Sequence, residues 1–234
     1  MPFNNKSLIK GTYFPPGDKS ISHRILILAG QATGKSEITN LLQGEDVMNT
    51  LKAMKLLGVQ IKRKKDKHIV FGVPPGGLFE PRKVIDLGNS GTGIRLLSGL
   101  VASNNIKVTL VGDASLSKRP MKRVTEHLTK IGAKIELKKN LYPPIKLKGT
   151  GKAVPLSFNI AIPSAQIKSA IMLSALNTNG KVKIKEFKST RDHTENMLYS
   201  MGYNIKVREN LLHRFIEMKN DRELKSIKYN VPGD

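Results

Sequence analysis

Three clusters of small polar residues, each directly ahead of an apolar run, are the segments of this chain best suited to holding an anion. The clusters are Lys19-Ser20-Ile21-Ser22-His23-Arg24, Asn89-Ser90-Gly91-Thr92-Gly93-Ile94-Arg95 and Ser164-Ala165-Gln166-Ile167-Lys168-Ser169. Their side-chain oxygens can cap helices by accepting from unpaired N–H groups. A helix N-terminus also carries about half a positive charge and can donate N–H groups to a bound anion. Taken alone, Ser20, Thr92 or Ser164 is explained as a plain helix cap, but three such helix starts with Lys19, Arg24 and Arg95 nearby predict one basic pocket for a polyanionic ligand.

Two arginines precede predicted helices elsewhere in the chain. Arg119 stands before Pro120, which biases the Arg119 backbone toward an extended conformation. Arg191 lies at a predicted helix start, where a positive charge is unfavourable to the helix dipole. This position indicates a ligand-binding role for Arg191. An ion pair with Asp192 or Glu195 is the alternative that residue chemistry leaves open.

One pattern recurs three times: an apolar stretch with helical spacing, then a glycine, then a short β-like segment. The glycines are Gly58, Gly132 and Gly202, at intervals of 74 and 70 residues, and each is predicted to end a helix in the left-handed conformation. Another helix and a β-branched strand precede each pattern. Further strand-like segments follow at 69–73, 145–147 and 215–218. We expect three α/β units that close into one domain, because the commoner solenoid units are only about 20–50 residues long.

The composition is strongly basic. The 40 Lys and Arg against 18 Asp and Glu give a net charge of +22, which favours an anionic partner such as nucleic acid, an acidic surface or a phosphorylated metabolite. The densest run, Lys62-Arg63-Lys64-Lys65, lies between two predicted strands and is interpreted as a solvated hairpin tip, with a nucleic-acid contact as the alternative. Aromatic residues make up only 5% and Trp is absent, so stacking platforms for single strands are poorly supplied.

Several classes of protein are disfavoured by composition. Cysteine is absent, which excludes a disulfide scaffold, a thiolate nucleophile and a Cys-based zinc or iron–sulfur site. No apolar run approaches the roughly 18 residues of a membrane span, and residues 1–10 show no export or organelle signal. We therefore expect a cytoplasmic protein without membrane association.

Five stretches resemble the enolpyruvyl transferases and, among them, the 5-enolpyruvylshikimate-3-phosphate synthases. They are Pro16-Gly17-Asp18-Lys19-Ser20-Ile21-Ser22-His23-Arg24, Leu87-Gly88-Asn89-Ser90-Gly91-Thr92-Gly93-Ile94-Arg95, Gly112-Asp113-Ala114-Ser115-Leu116-Ser117-Lys118-Arg119-Pro120-Met121, Ser164-Ala165-Gln166 and Thr190-Arg191-Asp192-His193-Thr194-Glu195. The resemblance runs through nearly the whole chain. It implies an α/β fold of three βαβαββ-type repeats around shared helices, which is half of a two-domain inside-out α/β barrel.

The resemblance also implies a division of the chain. Residues 1–16, with a strand near 8–14, would belong to a second domain, and residues 231–234 would begin the crossover to it. The three-repeat domain would span 17–230. Its repeats are expected at about 17–86, 87–155 and 156–230. In the family the active site lies between the two domains, and the second domain completes proton transfer, so we expect no turnover from this chain alone. A full-length protein of this kind is expected to be a monomer.

The implied reaction transfers the enolpyruvyl group of phosphoenolpyruvate to the 5-hydroxyl of shikimate 3-phosphate and releases phosphate. The implied partners are therefore these two small anions, with no nucleic acid and no metal or organic cofactor. By resemblance, Lys19, Arg119 and Gln166 are catalytic. The residues assigned to shikimate 3-phosphate are Lys19, Ser20, Arg24, Ser164, Ala165, Gln166 and Arg191. The residues assigned to phosphoenolpyruvate are Lys19, Asn89, Gly91, Thr92, Arg119 and Gln166.

Two departures from the better-known class of the family are Ala165, where that class has a second Ser, and Leu96, where it has Pro. The chain looks closer to the class written with Gly-Asp-Lys-Ser and Thr-Arg-Asp-His motifs. Many members of that class carry Ala where this chain has Gly91, and that methyl group excludes glyphosate. We therefore expect inhibition by glyphosate here, relieved by Gly91→Ala.

Two other functions compete with this interpretation. The related UDP-N-acetylglucosamine enolpyruvyl transferases usually carry Cys in their catalytic loop, which this chain lacks. A basic nucleic-acid-binding module would instead show binding that weakens steeply with salt. His23 and His193 are interpreted as structural hydrogen-bonding residues and receive no catalytic role.

Overall fold

The computed structural model describes residues 11–234. The strand expected near residues 8–14 lies partly outside the described residues, and residues 11–14 belong to no strand. Within residues 11–234, no helix combines the length and the apolarity needed to cross a lipid bilayer.

The described chain forms six α-helices, one short 3-10 helix and twelve strands. The helices are α1 (Lys19–Ala29), α2 (Glu45–Leu56), α3 (Gly91–Ala102), α4 (Lys122–Lys130), α5 (Ala165–Ala175) and α6 (His193–Ser200), with the 3-10 helix at Leu116–Lys118. The strands are β1 (Lys35–Thr39), β2 (Gln60–Lys64), β3 (Lys67–Phe71), β4 (Ile85–Asp86), β5 (Lys107–Val111), β6 (Lys134–Lys138), β7 (Tyr142–Lys148), β8 (Ser157–Ile160), β9 (Lys181–Phe187), β10 (Asn204–Glu209), β11 (His213–Lys219) and β12 (Lys228–Asn230).

The strands form three four-stranded sheets with one shared topology. Their orders are β12-β1-β3-β2, β4-β5-β7-β6 and β8-β9-β11-β10. In each sheet the first strand pairs in parallel with the second, and the other pairings are antiparallel. The predicted α/β fold of three repeats is therefore confirmed.

The first sheet takes its parallel edge strand from the end of the described chain. Strand β12 pairs with β1, with Glu37 opposite Lys228 and Thr39 opposite Asn230. Strand pairing thus assigns residues 228–230 to the first sheet, although the expected third repeat ran to residue 230. It also assigns residues 85–86 to the second sheet, although the expected first repeat ran to residue 86.

The three repeated glycines have the backbone conformation that the sequence predicts. Gly58, Gly132 and Gly202 follow α2, α4 and α6, with φ of 99°, 108° and 77°. L side chains rarely adopt this region, so glycine there ends the helix without strain. The basic run at 62–65 also lies where predicted, at the exposed turn between β2 and β3.

Helices α1, α3 and α5 form the core. Each packs on its own sheet, and α3 also contacts both α1 and α5. At the crossing of α3 and α5, a Cβ on Gly99 would lie 2.2 Å from the backbone oxygen of Ala170, so the two helices approach more closely than a side chain allows. The outer helices link these core helices: α2 contacts α1 and α3, α4 contacts α3 and α5, and α6 contacts α1. This packing fixes where the first turns of the core helices lie.

Candidate active site

The three polar clusters begin the three core helices, as the sequence predicts, but two of the capping residues differ from those expected. The carboxylate of Asp18 accepts from the Ile21 N–H at 2.6 Å, and the Ser90 hydroxyl accepts from the Gly93 N–H at 3.0 Å. Ser164 caps α5 as expected. The caps of α1 and α3 are therefore Asp18 and Ser90, not Ser20 and Thr92. Because those two hydroxyls lie two residues beyond the caps, they are available to other partners.

These hydroxyls join the first turns of different helices. Gln166 Nε2 in α5 donates to Thr92 Oγ1 in α3 at 3.0 Å. Arg191 Nη1, just before α6, donates to Ser20 Oγ in α1 at 3.4 Å. These contacts span 74 and 171 residues of sequence. The first contact joins α5 to α3 and the second joins α1 to the loop before α6, while Arg24 of α1 donates to Ser169 of α5 at 3.0 Å. Together these links place the starts of α1, α3 and α5 side by side on one face.

Lys19 lies on the rim of this face. Its ammonium is half-exposed and lies 2.8 Å from Asp46 Oδ2, in the first turn of α2. The same end of α2 approaches the loop before α3, because a Cβ on Gly88 would lie 3.4 Å from Glu45 Oε1 and 2.6 Å from Asn49 Nδ2. The first turn of α2 therefore connects the Lys19 side of the face to the Gly91 side.

Two half-buried guanidinium groups meet above Gly91. A Cβ on Gly91 would lie 2.9 Å from Arg119 Nη1 and 3.0 Å from Arg95 Nη1. The Arg119 backbone is extended, as Pro120 predicts, and its Nη2 donates to Asn89 Oδ1. Burial, together with the nearby positive charge of Arg119, lowers the pKa of Arg95. Among residues 11–234, no carboxylate lies within 4 Å of either guanidinium. Like charges held this close without a counter-ion provide a site for an anion.

Arg24 has a different environment from that expected of a ligand-binding arginine. Its side chain is buried, and Nε donates to Thr194 Oγ1 at 2.9 Å. Its Nη1 and Nη2 donate to the Ser20 carbonyl and to Ser169 Oγ, at 2.9 and 3.0 Å. Burial lowers its pKa to about 10. Three of its five N–H donors thus bind protein groups, which leaves two for any ligand.

Arg191 does not form the ion pair that the sequence left open. Both candidate partners face Arg214 instead, with Asp192 Oδ2 at 3.5 Å from Nη2 and Glu195 Oε1 at 3.9 Å from Nε. In the described part of the chain, no carboxylate lies within 4 Å of Arg191. Its guanidinium is exposed at the edge of the face formed by the helix starts.

Sequence reasoning missed a buried ion cluster next to this face. Lys168 in α5 is fully buried, with Nζ 2.9 Å from Glu186 Oε2 and 2.8 Å from Glu195 Oε1. The available signal was Lys168 as the one charged residue of α5. Its partners could not be identified, because they come from β9 and α6.

His23 is a buried residue of α1 with a structural role. Its Nδ1 lies 2.8 Å from Thr50 Oγ1, and burial lowers its pKa to about 4. The imidazole is therefore neutral at physiological pH, consistent with a structural hydrogen bond and with no role as a base at the site.

Comparison with known proteins bears on what this face binds. The sequence model described as EPSP synthase (3-phosphoshikimate 1-carboxyvinyltransferase) matches residues 4–234. The chain belongs to the EPSP synthase family. The resemblance inferred from the five sequence stretches is therefore confirmed.

Members of the EPSP synthase family match over nearly all of this chain. The 3-phosphoshikimate 1-carboxyvinyltransferase of Ruegeria sp. (strain TM1040) is 44% identical over 235 residues, covering 100% of this chain and 52% of that protein. That of Streptococcus agalactiae serotype Ia is 40% identical, covering 98% and 53%. The solved EPSP synthase from Acinetobacter baumannii superposes with a TM-score of 0.88 at 36% identity, covering 96% of this chain and 50% of that one. The chain spans about half the length of these relatives.

Proposed function

We propose that this chain provides one half of a 3-phosphoshikimate 1-carboxyvinyltransferase, which transfers the enolpyruvyl group of phosphoenolpyruvate to the 5-hydroxyl of shikimate 3-phosphate. The observation that carries the proposal is the convergence of the starts of α1, α3 and α5, linked through Arg24–Ser169 and Gln166–Thr92, beside arginines that no carboxylate in residues 11–234 neutralises. Both substrates are compact anions with a carboxylate and a phosphate, which suit such a face. Family membership favours these two substrates over other anions.

Phosphoenolpyruvate is assigned to the corner around Gly91. Arg119 and the turn from Asn89 to Thr92 would bind its carboxylate and phosphate, with Lys19 and Gln166 between the two substrates. In the reaction the 5-hydroxyl loses its proton as its oxygen bonds to C2, and a proton adds to C3, which gives a tetrahedral adduct. Loss of phosphate and of a proton from C3 then restores the double bond. Positive charge develops at C2, so fixed groups that hold the flanking anionic groups lower the barrier by position and electrostatics.

Shikimate 3-phosphate is assigned to the corner between α1, α5 and α6. Ser164 and the backbone N–H of Ala165 would bind the 3-phosphate, and Gln166 would pack against the ring. Ser20 and Arg191, joined at 3.4 Å, present a hydroxyl and a guanidinium to the carboxylate. Arg24 would act there through its two remaining donors.

The chain matches about half of each relative, so binding and turnover are separate expectations. We expect the 234-residue chain to bind shikimate 3-phosphate weakly and to form no product, because the second half of the family's site completes proton transfer. Product formed by the purified chain would contradict this expectation. The cytoplasmic location and the monomeric state of the longer protein stay predictions.

Thermal shift and calorimetric titration test the proposed ligands. We expect shikimate 3-phosphate to raise the Tm, because a ligand at about 100 times its Kd stabilises the native state by about 2.7 kcal/mol. UDP-N-acetylglucosamine and single-stranded DNA should have no effect at physiological salt. A shift with either of these and none with shikimate 3-phosphate would contradict the proposal, as would no response to any ligand.

The Arg119→Met variant tests the assigned corner. Charge-assisted hydrogen bonds contribute about 1.5–3 kcal/mol each, so phosphoenolpyruvate should bind roughly 10- to 150-fold more weakly in the presence of shikimate 3-phosphate. The control is Lys181→Met, which removes an exposed cation 3.4 Å from Glu217 on the outer face of the third sheet. Equal losses of phosphoenolpyruvate affinity in the two variants would show that the ligand is attracted by the net positive charge and is not bound at a specific site.

A further inference from the structure

The buried cluster beneath residues 188–192 has no part in the reaction as described above. At its centre is Lys168, whose Nζ has three oxygen neighbours: Glu186 Oε2 at 2.9 Å, Glu195 Oε1 at 2.8 Å and the Thr190 carbonyl at 3.4 Å. The contacts to Glu186 and to the Thr190 carbonyl are hydrogen bonds, and the contact to Glu195 is an ion pair. The three oxygens come from β9, from α6 and from the loop that joins those two elements.

This cluster holds the residues on both sides of Arg191. Thr190 is anchored twice, because its carbonyl accepts from Lys168 and its hydroxyl donates to Glu186 Oε1. On the other side, Asp192 Oδ2 lies 3.5 Å from Arg214 Nη2. Arg191 itself is exposed and extends to Ser20. Its backbone is therefore fixed from below while its side chain faces the site.

Ser169 and Thr194, the residues adjacent to Lys168 and Glu195, hold Arg24. Ser169 Oγ, beside Lys168, lies 2.8 Å from Thr194 Oγ1, beside Glu195. Both hydroxyls accept from the Arg24 guanidinium. The buried cluster and Arg24 thus form two adjacent layers between α5 and α6, and the two arginines assigned to the shikimate 3-phosphate carboxylate depend on both layers.

Stability alone does not explain a lysine at this position. Its neighbours Ile167, Ala170 and Ile171 in α5 are buried, and a hydrophobic replacement of a buried ion pair is often neutral or stabilising. A hydrophobic side chain would fill the space, but only a cation can bind the Glu186 carboxylate, the Glu195 carboxylate and the Thr190 carbonyl, which come from three different elements. We propose that Lys168 is a positioning residue, which sets the Arg191 loop and the Arg24 guanidinium against the first turn of α5 for binding of a phosphorylated carboxylate. The identity of this ligand rests on the proposed function.

The test separates positioning from folding with a compensated variant. Lys168→Met leaves two buried carboxylates without their cation, so its Tm should fall sharply. Lys168→Met/Glu186→Gln removes one of these charges and keeps a side-chain carbonyl at position 186 that can accept from Thr190, so the Tm should recover most of the loss. We expect this double variant to bind shikimate 3-phosphate at least ten-fold more weakly than the unmodified chain. Binding within two-fold of the unmodified chain would overturn the proposal.

A milder variant covers the case in which the double variant does not fold. Thr190→Val removes the hydroxyl anchor to Glu186 and keeps the side-chain shape and the backbone carbonyl. The expected result is a two- to five-fold rise in Kd with little change in Tm. An unchanged Kd would contradict the proposal. The matched control is Lys181→Met, which replaces an exposed lysine of the third sheet. It should leave the Kd and the Tm unchanged.

A ligand-free readout distinguishes failure of this inference from failure of the proposed function. The ¹⁵N–¹H signals of the Arg191 and Arg24 Nε–H groups should be single and sharp in the unmodified chain and in Lys181→Met. They should shift or broaden in Thr190→Val and in the double variant. If the unmodified chain does not bind shikimate 3-phosphate but these signals change as expected, the proposed ligand fails and the positioning role stands. If the signals are unchanged, the positioning role fails whatever binds.

Discussion

Arg24 and Arg119 both lie in the candidate active site and both donate to neighbouring side chains, but their surroundings are opposite. Arg24 is 3% exposed, and its donors bind Ser20, Ser169 and Thr194, with Glu195 nearby as a negative charge. Arg119 is half-buried and shares the space above Gly91 with Arg95, without a carboxylate within 4 Å in the described chain.

The different surroundings of Arg24 and Arg119 indicate different roles, one in holding helices together and one in attracting a ligand. A buried charge is tolerated when protein groups satisfy it, and it then ties together the elements that supply those groups. Two guanidinium groups near each other repel, and an arriving anion removes that repulsion. The corner around Arg24 therefore sets geometry, and the corner around Arg119 is where most of the binding energy of an anion should arise.

Replacing each arginine by methionine should give the largest difference in stability between the two corners. Arg24→Met leaves the Thr194 and Ser169 hydroxyls without their buried donor and removes a positive charge near Glu195, so the free energy of unfolding should fall by about 3–5 kcal/mol. Arg119→Met removes a repulsive, half-exposed charge and should change it by less than about 1 kcal/mol. Equilibrium unfolding in urea measures both values. Similar losses in the two variants would mean that the two corners do not differ in kind.

The pH dependence of stability is a second test of the Arg24 corner, because the buried His23 precedes Arg24 in α1. Its pKa is about 4 in the folded chain, against about 6.5 when unfolded, because burial disfavours the charged imidazole. Between these values the unfolded state binds more protons, so stability falls as the pH drops below 6.5. From pH 7 to pH 5 this group should cost about 2 kcal/mol.

The matched variant for this prediction is His23→Gln, whose amide can still bond to Thr50. Other titrating groups are common to both proteins, so the difference between their pH 7 and pH 5 unfolding free energies isolates His23. The variant should lose about 2 kcal/mol less than the unmodified chain over that interval. Parallel pH profiles would contradict the assignment of His23 as a buried neutral imidazole.

Gly91→Ala should have the smallest effect on stability and tests the open corner directly. The added Cβ would meet the ends of the Arg119 and Arg95 side chains, which can move, so unfolding free energy should change by less than about 1 kcal/mol. The space above residue 91 should shrink, however. In an active form of the protein that carries both halves, glyphosate should then inhibit less strongly, as steady-state rates would show. Unchanged inhibition would mean that this space does not belong to the inhibitor site.

The parts of the fold set by local chemistry could be predicted from the sequence. Gly58, Gly132 and Gly202 end helices because few other residues adopt their backbone conformation, and Pro120 extends Arg119. Capping was less predictable, because Asp18 and Ser90 compete with Ser20 and Thr92 for the same helix starts.

Long-range partnerships could not be predicted. Lys168 is joined to carboxylates 18 and 27 positions away on other elements, and a single sequence contains no signal for such a match. The pairing of β1 with β12 has the same character, because β12 is three residues long and has no periodicity to recognise.

The pairing of β12 with β1 has a consequence for the nascent chain. Thr39 bonds to Asn230 across 191 residues, whereas the second and third sheets are built from strands close together in sequence. During synthesis from the amino end, these two sheets have all their strands before residue 228 leaves the ribosome. Of these three sheets the first begins earliest and is completed last, so its β1 edge stays open to mispairing until residues 228–230 emerge.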